Sequence, residues 1–196
     1  MKKHTSIPAV LTAALLLFFT AADAQNSIGI RAGLNASNVS FDNLPGKKER
    51  IGFHAGVFGR LPVYQNFISL KPELSFSVKG TAFEYLNEKR TLNLKYLDFM
   101  LPLAFRLGSV DIELGPYVSF LTSTPDYTVY NESRVETDAF KKADAGLTGG
   151  LVFNIDHLLI GIRYNQGLVD VTKDNSRPLL GSGQNAVGQV SLGYMF

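Results

Sequence analysis

The chain has 196 residues, enough for one ordinary domain, with 45% hydrophobic residues, only 18% charged residues and a formal net charge of +2. That balance gives no nucleic-acid footprint, and the absence of Cys excludes disulfides, thiolate metal sites, a cysteine nucleophile and a lipidated N-terminal Cys.

The first segment, "MKKHTSIPAVLTAALLLFFTAADA", joins a short positive start to an apolar stretch and to small residues at Ala22 and Ala24. It reads as a secretory signal peptide over residues 1–24, cleaved before Gln25, with the mature domain spanning 25–196. Its apolar run falls short of the ~20 residues of a spanning helix, and no later run reaches that length. The mature chain is therefore soluble outside the cytoplasm, or it crosses a membrane by another route.

Beyond Gln25 the dominant period is two, which predicts strands. In chain order they cover 27–35, 51–61, 67–78, 94–107, 110–121, 144–155, 158–167 and 187–196. Most reach the ~9–11 residues of a tilted membrane strand, against ~5–6 for soluble strands. The connections alternate. Residues 36–50, 79–93, 122–143 and 168–186 are long, whereas 62–66, 108–109 and 156–157 are short. This is the pattern of an eight-stranded antiparallel up-and-down transmembrane β-barrel, all-β, with short periplasmic turns and long extracellular loops.

The charges share one phase of the pleat. Arg31, Arg60, Lys71, Glu73, Asp98, Arg106, Asp111, Glu113, Asp144 and Arg163 oppose a phase of large apolar residues that carries no charge. Lys95 is left out, because it joins them only if the pleat changes before Tyr96. The charged phase also carries Gly29, Gly33, Gly56, Gly115, Gly146, Gly150, Gly161 and Gly193. Small residues suit a crowded lumen, and hydrocarbon penalises an exposed Arg or Lys by roughly 2–4 kcal/mol at the midplane. The charged phase is thus expected to face a filled lumen with no wide pore, as a paired ionic network of five basic and five acidic groups. A soluble periplasmic lipocalin-like barrel binding an apolar ligand is the alternative, with the faces reversed. Pro72, Pro102 and Pro116 fall inside predicted strands and are expected to mark bulges or kinks. Tyr64, Tyr96, Tyr117, Tyr164 and Tyr194, with Phe67 and Phe196, are candidates for interfacial girdles.

The segments "GFHAGVFGRLPV", "SLKPELSFSVKG", "LKYLDFMLPLAFRLG", "IELGPYVSFL" and "GIRYNQGLVDV" form a series that resembles the outer-membrane β-barrel domain family related to PorT. The resemblance covers nearly all of the mature chain. One departure is that Pro102 comes two residues later after "YLD" than the family commonly places it, an even shift that keeps the pleat phase. The resemblance implies a barrel in the bacterial cell outer membrane, embedded in its lipid, without one defined activity. PorT itself is associated with protein secretion, so a structural, binding or secretion-accessory role is the corresponding expectation.

The chain closes on "GQVSLGYMF", with Val190, Leu192, Tyr194 and Phe196 on the apolar phase. Resemblance to other outer-membrane barrels implies that such an aromatic-ended strand is an assembly signal read by the barrel-assembly machinery. The longest connection, 122–143, carries Tyr127, Tyr130, Arg134 and Phe140 and is the candidate recognition loop for a protein or envelope partner. A barrel enzyme using His54, with Asp144 or Glu113 orienting it, is the remaining alternative. No enzymatic activity is expected on the first reading, and no cofactor, metal or nucleic-acid partner is implied.

Overall fold

The computed structural model describes residues 27–41, 47–65, 67–85, 88–122, 126–127, 141–170 and 183–196. The expected signal peptide, residues 1–24, lies outside them. Among the described residues there are twelve extended stretches, ten of which make eight strand paths. These are β1 (Ser27–Phe41), β2 (Arg50–Tyr64), β3 (Ile68–Leu70 continuing as Glu73–Tyr85) and β4 (Glu88–Met100 continuing as Leu103–Leu107). They continue as β5 (Val110–Leu121), β6 (Ala143–Ile155), β7 (Leu158–Gly167) and β8 (Gly183–Met195). Two short additions, Lys47–Lys48 and Asp126–Tyr127, extend the ladder beside β3 and β4.

Every neighbouring pair is antiparallel, and β1 pairs with both β2 and β8, so the sheet closes on itself. Closure satisfies the backbone along every edge, as hydrocarbon requires. The registers fix the size of the ring. Gly29 faces Phe58, which faces Glu73, then Met100, Tyr117, Gly146 and Gly167. The β7–β8 register carries Gly167 on to Asn185, which faces Val39. One circuit thus returns to β1 ten residues from its start. With ~3.3 Å per residue and ~4.8 Å between strands, this stagger implies a tilt of about 40° and a radius of roughly 8 Å. Such a bore is narrow enough for side chains to occupy.

The pleat is inside out relative to a soluble barrel. Ile30 is 49% and Leu192 59% exposed, while Arg31 between Ile30 and Ala32 is 5% exposed. Apolar side chains therefore form the outer wall, and polar ones point to the axis. Inward glycines let neighbouring strands approach closely. A Cβ at Gly33 or Gly146 would collide with the carbonyl of Val190 or Gln166 on the next strand.

Three expectations need correction. Residues 79–93 are not a long connection: β3 runs to Tyr85 and β4 starts at Glu88, paired through Tyr85 and Glu88. Outside a bilayer a strand has no need of an apolar phase, so the period-two signal fades although pairing continues. The prolines do not mark bulges. The β2–β3, β3–β4 and β4–β5 registers are the same on both sides of Pro72 and Pro102, and the β5 ladder runs through Pro116. Each proline accepts a ladder bond through its carbonyl, from Gly59 N (2.8 Å), Lys71 N (2.9 Å) and Leu101 N (3.0 Å) respectively, and lacks only the reciprocal donor. Among the described residues the β2–β3 register shifts instead between Pro62 and Tyr64. Finally, Tyr96 and Tyr117 are not girdle residues: both are buried, on the axis-facing phase. Tyr64, Phe67, Tyr164, Tyr194 and Phe196 are exposed on the wall.

Candidate functional site

The short turns 108–109 and 156–157 share one end of the barrel with Ser27 and Met195, here the turn end. The opposite end is the loop end. Odd-numbered strands bring Arg31 (β1), Lys71 and Glu73 (β3), Asp111 and Glu113 (β5) and Arg163 (β7) to the axis from around the ring. Glu113 is their hub. Its Oε1 meets Lys71 Nζ at 2.8 Å and Arg31 Nη2 at 3.6 Å, and its Oε2 meets Arg163 Nη2 at 2.8 Å. Glu73 Oε2 is shared by Arg31 at 3.0 Å and Arg163 at 2.9 Å. Asp111 accepts from Lys71 at 2.9 Å and from Arg106 Nε at 2.7 Å, with Arg60 at 3.7 Å. Arg106 also donates to Asn154 Oδ1 at 2.9 Å.

Each buried charge here has partners of the opposite sign, which offsets the desolvation that burial imposes. Phe58 supports the belt from within, with Arg31 5.1 Å and Lys71 6.0 Å from its ring centroid. Phe58 packs with Val152 and Leu159 in a small axis-facing apolar cluster joined by Met195.

Next to this belt lies a neutral chain. Asn35 Nδ2 donates to the carbonyls of Phe53 and Val78, which orients its amide and presents Oδ1 as an acceptor. Gln189 Nε2 donates to that oxygen at 2.9 Å, and His54 Nδ1 lies 2.7 Å from it, so Nδ1 carries a proton. Asn165 then donates to Gln189, and Thr148 to Asn165. His54 is 2% exposed, and its hydrogen-bond partner is an amide, not Asp144 or Glu113. The carboxylate orienter that a His54-based enzyme would use is not brought to it. Among the described residues, no three His, Cys, Asp or Glu side chains group as metal ligands.

A third cluster lies toward the loop end. Lys79 Nζ donates to Asp98 Oδ1 at 2.8 Å and Ser119 Oγ at 3.1 Å, and it lies over the rings of Tyr96 (5.0 Å) and Tyr117 (5.4 Å). Ser77 donates to Asp98 Oδ2 at 2.6 Å. Asp144 Oδ2 accepts from Asn185 Nδ2 at 2.9 Å and Tyr117 Oη at 3.2 Å.

The structure thus places nine of the ten sequence-selected charges in the buried axis-facing set and leaves Arg106 half-buried at the turn end. Sequence reasoning missed Lys79, one residue past the expected end of its strand. Its odd number matches Lys71 and Glu73, so extending that parity would have found it. Lys95 keeps the phase of Leu97 and stays off the axis-facing set. Val190, Leu192, Tyr194 and Phe196 all lie exposed on the wall. Phe196 N donates to Ile28 O at 2.9 Å, and Tyr194 stacks on His157 with ring centroids 5.6 Å apart. In the candidate recognition loop, Tyr127 pairs with Leu92, while Tyr130, Arg134 and Phe140 lie outside the described residues.

Residues 23–173 match the family model described as outer membrane protein beta-barrel domain. No curated protein sequence is significantly similar to the chain. Among solved structures, Neisserial surface protein A (NspA) superposes with a TM-score of 0.58 at 9% identity, covering 86% of this chain and 97% of that one. Ail, the attachment invasion locus protein of Yersinia pestis, in complex with the heparin analogue sucrose octasulfate, superposes with a TM-score of 0.50 at 19% identity. That alignment covers 87% of this chain and 99% of Ail. At these identities the likeness is one of fold.

Proposed function

Because the chain belongs to the outer membrane protein beta-barrel domain family and is a barrel of the bacterial outer membrane, we propose that it is a non-conducting membrane scaffold that acts through its loop end. The observation that carries this reading is the Glu113 hub. It ties Arg31, Lys71 and Arg163 from three separate strands across a bore of roughly 8 Å radius. A belt of that kind leaves no continuous aqueous path, in contrast to the open lumen of larger porins.

On this reading the signal peptide directs export, and the strand ending in Tyr194 and Phe196 serves as the assembly signal. The long connection 122–143 meets a protein or envelope partner. Kinship with PorT would make that partner part of a secretion route. Sucrose octasulfate, bound by Ail, is a ready probe for an anionic glycan at the same end.

Planar-bilayer recording tests the scaffold reading. The refolded barrel is expected to give no stable ohmic channel, and Glu113→Ala, which dissolves the hub, to give brief openings. Steady porin-like conductance from the unaltered barrel would overturn it.

A further inference from the structure

The loop-end cluster carries an imbalance that the hub does not. Glu73, Asp98, Asp111 and Glu113 are each ion-paired with Lys or Arg. Asp144 is just as deeply buried, at 1% exposure, and only neutral donors hold it: Asn185 Nδ2 and Tyr117 Oη, both on Oδ2. Among the described residues, no Lys or Arg forms an ion pair with it. Its Oδ1 has no partner, and neither do Asn185 Oδ1 and Tyr96 Oη.

The three orphaned oxygens belong to side chains of one cluster: Asn185 donates to Asp144, and the Tyr96 ring flanks Lys79 together with that of Tyr117, which also donates to Asp144. Asn185 is fixed against Asp144 by its own amide nitrogen, so exchanging its two amide atoms would set oxygen against carboxylate. The Tyr96 hydroxyl lies near the Asn185 side chain. All three side chains are at most 1% exposed. A buried carboxylate without a counter-charge is costly, and Lys79 is already committed to Asp98 and Ser119. Among the described residues, Lys79 with ionised Asp98 and Asp144 leaves one negative charge uncompensated.

We propose that Asp144 Oδ1, Asn185 Oδ1 and Tyr96 Oη are the protein ligands of a site for a small hard monovalent cation of the sodium class, with water completing its shell. A carboxylate, an amide carbonyl and a hydroxyl form an all-oxygen set suited to a hard ion, not to a thiophilic or imidazole-seeking metal. A single positive charge neutralises the cluster, whereas a divalent ion would leave it positive beside Lys79. The site is independent of the scaffold reading, because it lies apart from the Glu113 hub and predicts nothing about conductance.

The test compares the full refolded barrel in sodium chloride and in choline chloride at equal ionic strength. The heat-unfolding midpoint, read by gel mobility, should rise by roughly 3–5 °C with sodium at about ten times its dissociation constant. The chain has no Trp to mask its eight tyrosines, so the Tyr96 contribution to tyrosine absorption, isolated as the difference from Tyr96→Phe, should change with sodium. Asp144→Asn should remove both responses. Tyr96→Phe, which keeps the ring over Lys79, should remove the spectral change and weaken the shift; it decides the matter if Asp144→Asn does not fold. Identical behaviour in sodium and choline would overturn the proposal. So would a sodium response that survives Asp144→Asn, or a high-resolution structure with only water, or a protonated carboxyl paired to the amide, at the three oxygens.

Discussion

The two charged regions of the bore are both buried and differently built. In the belt around Glu113, each carboxylate meets at least two cations and each of Arg31, Lys71 and Arg163 meets two carboxylates. In the loop-end cluster, among the described residues, Asp98 has the single ion-pair partner Lys79 and Asp144 has none. Burial alone therefore does not determine how much one side chain matters. What matters is how many partners remain after it is removed, because the penalty falls on the charge left unpaired.

The largest expected effect tests the hub itself. Glu113→Ala strips one partner from Arg31, Lys71 and Arg163 together and should cost about 3–5 kcal/mol, measured as urea unfolding in liposomes. A loss under about 1 kcal/mol would mean that the belt does not hold the barrel together. Lys79→Met should come next, at about 3 kcal/mol, because Asp98 then keeps only the Ser77 hydroxyl. Arg31→Met removes one cation as well and should cost only about 1–2 kcal/mol, since Glu73 retains Arg163 and Glu113 retains Lys71 and Arg163. If Arg31→Met proves as damaging as Lys79→Met, the contrast between shared and single pairing fails. The smallest effect on the finished barrel should come from deleting Phe196, whose side chain lies on the outer wall and whose amide makes one bond to Ile28. Assembly yield in cells should fall far more than unfolding stability in liposomes, and equal losses would remove its role as an assembly signal.

Much of this architecture was legible in the chain. Alternation over 110–121 and 158–167 gave strands Val110–Leu121 and Leu158–Gly167 with the expected ends. There the wall must be apolar and the bore polar, so each residue reports its face. The signal failed where that demand lapses. The continuation of β3 and β4 through 79–93 carries Glu84, Lys89 and Arg90, and only backbone pairing marks it as sheet. Lys79 fell at that boundary and was lost with it. Tyr96 and Tyr117 went wrong for another reason: aromatic identity suggested a lipid interface, although their parity with Asp98 and Glu113 already placed them inward.

By itself the sequence determined which face each strand residue takes and that the strands are numerous and long enough to close, because a period of two in a hydrocarbon environment leaves little freedom. It could not say which charge meets which. Arg163 and Glu73 are 90 residues apart, and Gln189 and Asn35 are 154 apart. Those partners are chosen by the ten-residue stagger that closes the ring, since the stagger determines which inward side chains share a level of the bore. The same stagger left Asp144 held by an amide and a phenol, with no ion pair among the described residues, and only the folded barrel reveals that neighbourhood.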